Sequence, residues 1–169
     1  MFLSYLWKTF RLILGFTLAI LLARTFVVEP GRVNGVSMEP TFLDNQLFFM
    51  NKFALIFSAP KRGQVIQSKK PNSEKLVIKR IVGLPGETVT VKENGVYVTG
   101  TDGVETRVDE PYLSPDTATL MPDKKPFVFP KLADNEYFVL GDNRRFSGDS
   151  REYGPIRRDA IIGLVMTSL

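Results

Sequence analysis

Apolar positions along the chain follow two different rhythms. From Leu12 to Ala23 they run without a charge, and Phe2, Leu3, Leu6, Trp7 and Phe10 extend that character toward the N-terminus, interrupted by Lys8 and Arg11. A span needs about 20 residues, so the uninterrupted run is short by itself. Snorkelling of Lys8 and Arg11, with Tyr5 and Trp7 at an interface, makes one helix from about Leu6 to Val28 long enough to cross. A cleavable signal has the same charged-then-apolar layout, but Leu21 stands where a small residue would precede the cut, and a buried core helix is the third reading.

Beyond Glu29-Pro30-Gly31 the pattern changes to short alternating runs closed by turn residues. Strands are predicted at Gln46–Met50, Gly63–Gln67, Lys75–Gly83, Thr88–Lys92, Val96–Thr99, Glu136–Leu140 and Ala160–Thr167, with Asn94-Gly95 as a hairpin turn. Residues 101–131 are polar and proline-bearing, which predicts an irregular insertion or lid. With no strand–helix alternation, the fold class is mainly β: one domain of short antiparallel sheets over 29–169, behind a membrane anchor and short N-terminus over 1–28. Lys8 and Arg11 place the N-terminus in the cytoplasm and the β domain outside.

Composition narrows the chemistry. The 169 residues are 44% hydrophobic and 24% charged, with 13 Phe and a net charge of +4. No segment gathers Lys and Arg into a nucleic-acid motif, so no nucleic-acid partner is expected. The chain contains no His and no Cys. That removes the usual base of a serine nucleophile, cysteine nucleophiles and zinc sites built on those ligands, and no cofactor or metal is expected. A serine–lysine pair remains able to make a nucleophile from side chains alone.

Two residues suit that pair. Strand alternation puts Lys79 on one face with Val77 and Ile81. An amine between β-branched neighbours is a candidate for desolvation, and bringing a lysine from about 10.4 to 7–8 costs about 4 kcal/mol. The bland alternative is an edge-strand lysine that discourages aggregation. Ser37 lies in Asn34-Gly35-Val36-Ser37-Met38-Glu39-Pro40-Thr41, a turn able to expose a hydroxyl and to align backbone N–H groups, or merely a turn serine bonded to its own backbone. A third cluster, Gly141-Asp142-Asn143-Arg144-Arg145-Phe146-Ser147-Gly148-Asp149-Ser150-Arg151, is either a solvated loop or a supporting shell in which Asp–Arg pairs fix the backbone.

In this order behind an anchor, Ser37-Met38-x-Pro40-Thr41, Val77-Ile78-Lys79-Arg80-Ile81-Val82-Gly83-Leu84-Pro85-Gly86 and Gly141-Asp142-Asn143-Arg144 through Ser147-x-Asp149-Ser150-Arg151 resemble the bacterial type I signal peptidases, the membrane-bound serine–lysine proteases. The resemblance runs from about Arg24 to the end and leaves the anchor and 101–131 unmatched. It implies a signal-peptidase-like β domain, Ser37 as nucleophile and Lys79 as general base. It also implies Ser147 as the hydroxyl that orients the amine, and Arg80, Asp142, Asp149 and Arg151 as supporting ion pairs. The substrates it implies are signal peptides of exported preproteins, cut after an Ala-x-Ala type junction at the cytoplasmic membrane, with no obligate protein partner. Met38 and Phe42 are expected to line the substrate groove or touch lipid.

Three positions depart from that pattern. Gly35 stands where some relatives have an oxyanion-donating serine, Gln64 follows Arg62-Gly63 where an aspartate is usual, and Arg145-Phe146 replace a polar pair. A maturation peptidase dedicated to one client, such as a conjugation or surface-appendage protein, fits the same motifs. A non-catalytic membrane platform is opposed by the intact Ser37, Lys79 and Ser147. A serine–lysine autoprotease controlling transcription is opposed by the apolar N-terminus.

Overall fold

The computed structural model describes residues 2–92, 94–120 and 125–166. Thr167, at the end of the last predicted strand, and residues 121–124 in the polar insertion lie outside the described residues. Helix α1 spans Phe2–Val27. At 1.5 Å per residue its 26 residues extend about 39 Å, and its Ser4–Leu21 stretch is apolar and uncovered by the rest of the chain.

Among the described residues, eleven strands follow in two antiparallel sheets: β1 Val28–Arg32, β2 Leu47–Asn51, β3 Val65–Lys69, β4 Leu76–Gly83, β5 Thr88–Lys92, β6 Gly95–Thr99, β7 Glu105–Arg107, β8 Phe127–Phe129, β9 Glu136–Leu140, β10 Ile156–Arg157 and β11 Ile161–Met166. Two one-turn helices, α2 at Ala54–Phe57 and α3 at Ser150–Tyr153, sit between them. The larger sheet has the order β1-β2-β11-β3-β4-β9-β10, and the smaller one β7-β6-β5-β8. The mainly-β expectation holds, and each predicted strand forms to within two residues at either end.

One expectation is met and one changes. The Glu29-Pro30-Gly31 segment follows the end of the helix at Val27, as expected, and lies within β1, which among the described residues pairs with β2 alone. A proline is tolerated there because an edge strand can leave one side without a donor. The 101–131 insertion contributes β7 and β8 to the smaller sheet, through pairing with β6 and β5. Its polarity reflects a structural role at a sheet edge: the Glu105 carboxylate pairs with Lys92, and Arg107 donates to the Asn94 carbonyl.

The central strand β4 shows why these runs read as apolar. Every residue from Ile78 to Gly83 is buried, because β4 is covered on both faces. Ile78 joins Val33, Met38, Phe42, Phe48, Met50 and Val65 in one core, and Ile81 packs with Ile66, Tyr137, Val139 and Ile156 in a second. Val82 reaches the third, where Val89, Val91, Phe138 and Leu140 join the two sheets.

Candidate active site

Only part of β4 is paired on its far side. It pairs with β3 from Leu76 to Arg80, whereas β9 meets it only at Arg80, Ile81 and Gly83. After Leu140 the chain turns away at Gly141, so the edge from Leu76 to Lys79 carries no strand on that side among the described residues. The turn between β1 and β2 fills the end of this gap and carries Ser37. Gly35 adopts φ +97°, a conformation that disfavours a side chain, and its N–H donates to the Asp44 carboxylate at 2.7 Å. The Phe42 N–H returns to the Met38 carbonyl at 3.0 Å.

The loop after β9 clamps this turn. The Asn143 N–H donates to the Ser37 carbonyl at 3.1 Å, and its side-chain amide donates to the Val36 carbonyl at 3.1 Å. At Gly141 a side chain would collide with the Ser37 carbonyl and with Ser147, so a glycine is required by close approach.

Ser37 Oγ and Lys79 Nζ lie 2.8 Å apart, and the amine also donates to the Ile78 carbonyl at 2.8 Å. Lys79 is 3% exposed. Burial pushes its amine down from 10.5 to about 8; Asp149 and Asp142 oppose that shift, while Lys75 and Arg151 add to it. A substantial neutral fraction therefore exists at mildly alkaline pH. In that form the hydroxyl donates to the amine, the geometry a general base requires.

The acids near this amine are committed elsewhere. Asp142 holds Arg80 through two bonds, from Nε at 2.9 Å and from an Nη at 2.5 Å, and accepts from Thr41 Oγ1 at 2.6 Å. Asp149 holds Arg151 in the same bidentate way at 2.8 Å, accepts from the Gly141 N–H at 3.0 Å, and caps α3. Both Asp side chains are buried, so each guanidinium neutralises a charge that would otherwise hold the lysine protonated.

Sequence reasoning missed the outer ring of this network. The Arg80 guanidinium stacks on the Tyr112 ring at 3.8 Å, and the Tyr112 hydroxyl donates to Glu110 at 2.9 Å. Glu110 pairs with Arg144, which also donates to Thr119 Oγ1 at 2.8 Å, and Arg151 donates to the Thr119 carbonyl at 2.6 Å. Tyr112, Glu110 and Thr119 all lie in the expected lid, and no local pattern marks them. Gln64 takes over a turn role, accepting from the Lys61 N–H at 2.8 Å.

Two expected contacts are not formed. Among the described residues, the buried Ser147 hydroxyl has no hydrogen-bond partner and is not bonded to Lys79; the Ile78 carbonyl holds the amine in its place. Phe42 lies in the core with Phe48 and Met50, as i,i+2 packing of a turn onto β2 dictates, and it faces neither groove nor lipid. Met38 is also fully buried, but it forms part of the floor of a cleft of about 450 Å³ that contains Ser37 and Lys79. Among the described residues no group of three His, Cys, Asp or Glu side chains is placed to hold a metal ion.

Comparison with known proteins agrees with this geometry. Residues 6–169 match the family described as signal peptidase, peptidase S26. The chain is 40% identical over 147 residues to signal peptidase I of Bacillus amyloliquefaciens, covering 83% of this chain and 74% of that one. It is 37% identical over 142 residues to signal peptidase I V of Bacillus subtilis (strain 168), covering 79% and 81%. The crystal structure of a signal peptidase I from Enterococcus faecalis V583 superposes with TM-score 0.53 at 28% identity, covering 64% of this chain and 98% of that one. With matches over most of its length and the fold to accompany them, this chain belongs to the signal peptidase family, peptidase S26, alongside enzymes named signal peptidase I.

Proposed function

We propose that the protein is a membrane-anchored serine endopeptidase that removes signal peptides from exported preproteins with a Ser37/Lys79 dyad. The observation that carries this reading is the 2.8 Å approach of a desolvated amine to the Ser37 hydroxyl.

Neutral Lys79 takes the hydroxyl proton as Ser37 Oγ attacks the scissile carbonyl carbon. The same amine then gives that proton to the departing amino group of the mature protein, leaving the signal peptide as an ester on Ser37. A water deprotonated by Lys79 attacks the ester, releases the signal peptide as a carboxylic acid and restores the hydroxyl. The Ser37 N–H is the donor available for the oxyanion. Gly35 supplies no hydroxyl, so removal of one donor from the relatives' pattern predicts slower turnover here.

The free edge of β4 offers backbone groups to an extended substrate, which would lie along it as one more strand. Residues before the cut then alternate between cleft and solvent, and those at the first and third positions face Ser37, Lys79 and Val77. The shallow floor over Met38 and Ile78 suits small side chains there, the Ala-x-Ala type. Arg80, Asp142, Asp149 and Arg151 hold the backbone under the dyad, and Ser147 packs beside Gly141.

Two features support a bilayer location. The uncovered apolar α1 leads straight into β1, with Lys8 and Arg11 favouring a cytoplasmic N-terminus. On the domain itself, Leu47 and Phe49 point outward from β2, and Phe53, Ile56 (68% exposed) and Phe57 (79% exposed) follow at α2. The register Val28↔Asn51 puts this apolar turn beside the end of α1, where it would rest on the outer surface of the membrane.

The test is incubation of the detergent-solubilised protein with a preprotein bearing an Ala-x-Ala junction, followed by N-terminal sequencing of the product. Cleavage after the second Ala, absent with Ser37→Ala, supports the proposal. Uncut preprotein, or equal cutting by the Ala variant, overturns it.

A further inference from the structure

The wall of the Ser37 cleft is electrostatically one-sided. Arg32, Lys70 and Lys75 line it together with Lys79, and no Asp or Glu does. Some surface cations in this molecule have a carboxylate at hand: Lys69 has Glu74, Lys92 has Glu105, and Lys52 has Glu29. Lys70 is partly answered by Glu152, at 3.6 Å, and lies 5.1 Å above the Tyr153 ring. Lys75 is exposed and, among the described residues, has no carboxylate within ion-pair distance. Arg32 donates to the Asn45 carbonyl and likewise lacks an acid.

The position of Lys75, one residue before β4, gives this charge a register. Lys75, Val77 and Lys79 alternate onto one face, and Lys75 lies four residues before Lys79, about 13 Å away at strand rise. The β3–β4 turn fixes it there, with the Lys70 N–H donating to the Lys75 carbonyl at 2.8 Å. A substrate strand on the free edge of β4 has the same rise. Its first, third and fifth residues before the cut then stand opposite Lys79, Val77 and Lys75.

We propose that Lys75, reinforced by Lys70 and Arg32, is a specificity-determining residue that selects preproteins with an acidic side chain at the fifth position before the cut and disfavours those with a basic one. This rests on the proteolytic reading above and on the substrate lying along β4. The attraction is between solvated charges, so it is worth a few-fold in rate and is screened by salt. Its direction is nevertheless set by the lack of any Asp or Glu among the described residues that line the cleft. A lysine at the fifth position would face Lys75, which has no carboxylate within ion-pair distance among the described residues.

The experiment uses the full chain in detergent micelles and a set of preproteins with Ala at the first and third positions before the cut. The fifth position is Glu, Gln or Lys, and a further substrate carries Glu at the fourth position, which faces away from the cleft. At an ionic strength of about 0.01 M, kcat/KM for Glu is expected to exceed that for Lys by about three- to tenfold, with Gln between them, and the spread is expected to collapse at about 1 M. Lys75→Gln is expected to narrow it, Lys75→Glu to reverse the order, and Glu at the fourth position to gain less than half as much as at the fifth. Equal rates at low salt, an unchanged order in Lys75→Glu, or an equal gain at the fourth position overturns the proposal while leaving the proteolytic reading intact. A wild-type protein that cuts none of the substrates overturns both.

Discussion

Lys79 and Arg80 are consecutive, nearly equally buried at 3% and 8% exposure, and chemically opposite in their surroundings. Alternation along β4 sends one toward the cleft and the other beneath it. Arg80 meets a carboxylate in bidentate geometry, the Gly63 carbonyl at 2.8 Å and the face of Tyr112. Lys79 meets a hydroxyl and one carbonyl, with no acid in contact. The lesson is that burial does not by itself make a cation reactive. A paired guanidinium becomes a structural rivet, while an unpaired amine at the same depth gives up its proton at about pH 8 rather than 10.5.

The sharpest way to break the contrast is to remove reactivity from the Lys79 side. Ser37→Ala and Lys79→Arg should each lower kcat/KM by about 10³-fold or more, since a guanidinium remains charged and cannot act as base. Ser37→Ala should keep the thermal midpoint within a few degrees of wild type. Full turnover by Lys79→Arg would remove the lysine from the mechanism.

Next comes the opposite face. Asp142→Ala strands Arg80 as a buried unpaired charge and should destabilise the fold by about 3–5 kcal/mol, read by urea unfolding. Lys79→Met should do the reverse at pH 7, stabilising by up to about 3 kcal/mol, because the wild-type ammonium is held in a site that disfavours it. Two variants on adjacent faces should thus move stability in opposite directions, and a shared sign would dissolve the comparison.

Proton linkage sharpens it further. The Lys79 pKa is lowered from 10.5 in the unfolded chain to about 8, so the folded state binds this proton more weakly. The penalty is fully present below about 8 and fades as pH rises to about 10.5, where both states are neutral. The stability advantage of Lys79→Met should shrink over that window. The rate follows the same group: below about 8, kcat/KM should fall toward tenfold per pH unit. A flat profile down to pH 5 would count against a lysine base.

The smallest effect is expected at the outer ring. Tyr112→Leu removes the stacked ring from Arg80 and a hydroxyl from Glu110, and should cost about 1–2 kcal/mol in unfolding free energy. Catalysis should change by less than tenfold, as measured on the same preprotein.

Much of this was legible from local pattern. Period-2 alternation located β2 to β6, β9 and β11, but not β1, β7, β8 or β10, and the uncharged run located α1, because both signals depend on neighbours in sequence. The Lys79 setting was legible for the same reason: Val77 and Ile81 declare its face. Ser147 and Phe42 were misplaced because their surroundings come from distant segments. Phe42 is decided by Phe48 and Met50 across a turn, and Ser147 by how closely Gly141 packs on Ser37. Tyr112, Glu110 and Thr119 carried no local signal, since a polar proline-bearing stretch reads alike whether it is solvated or pinned to guanidinium groups.

The amino-acid order alone determined the chemistry on offer: with neither His nor Cys present, a hydroxyl and an amine were left, and their flanking residues named which ones. Only the tertiary structure decided that they meet. Ser37 and Lys79 are 42 residues apart, and their 2.8 Å separation exists because the loop after β9 grips the Ser37 turn while β9 stops short of it along β4. Spacing along a strand is local and repeats every two residues. Approach between strands, and the loss of water that lowers an amine's proton affinity, arise only when the sheets close.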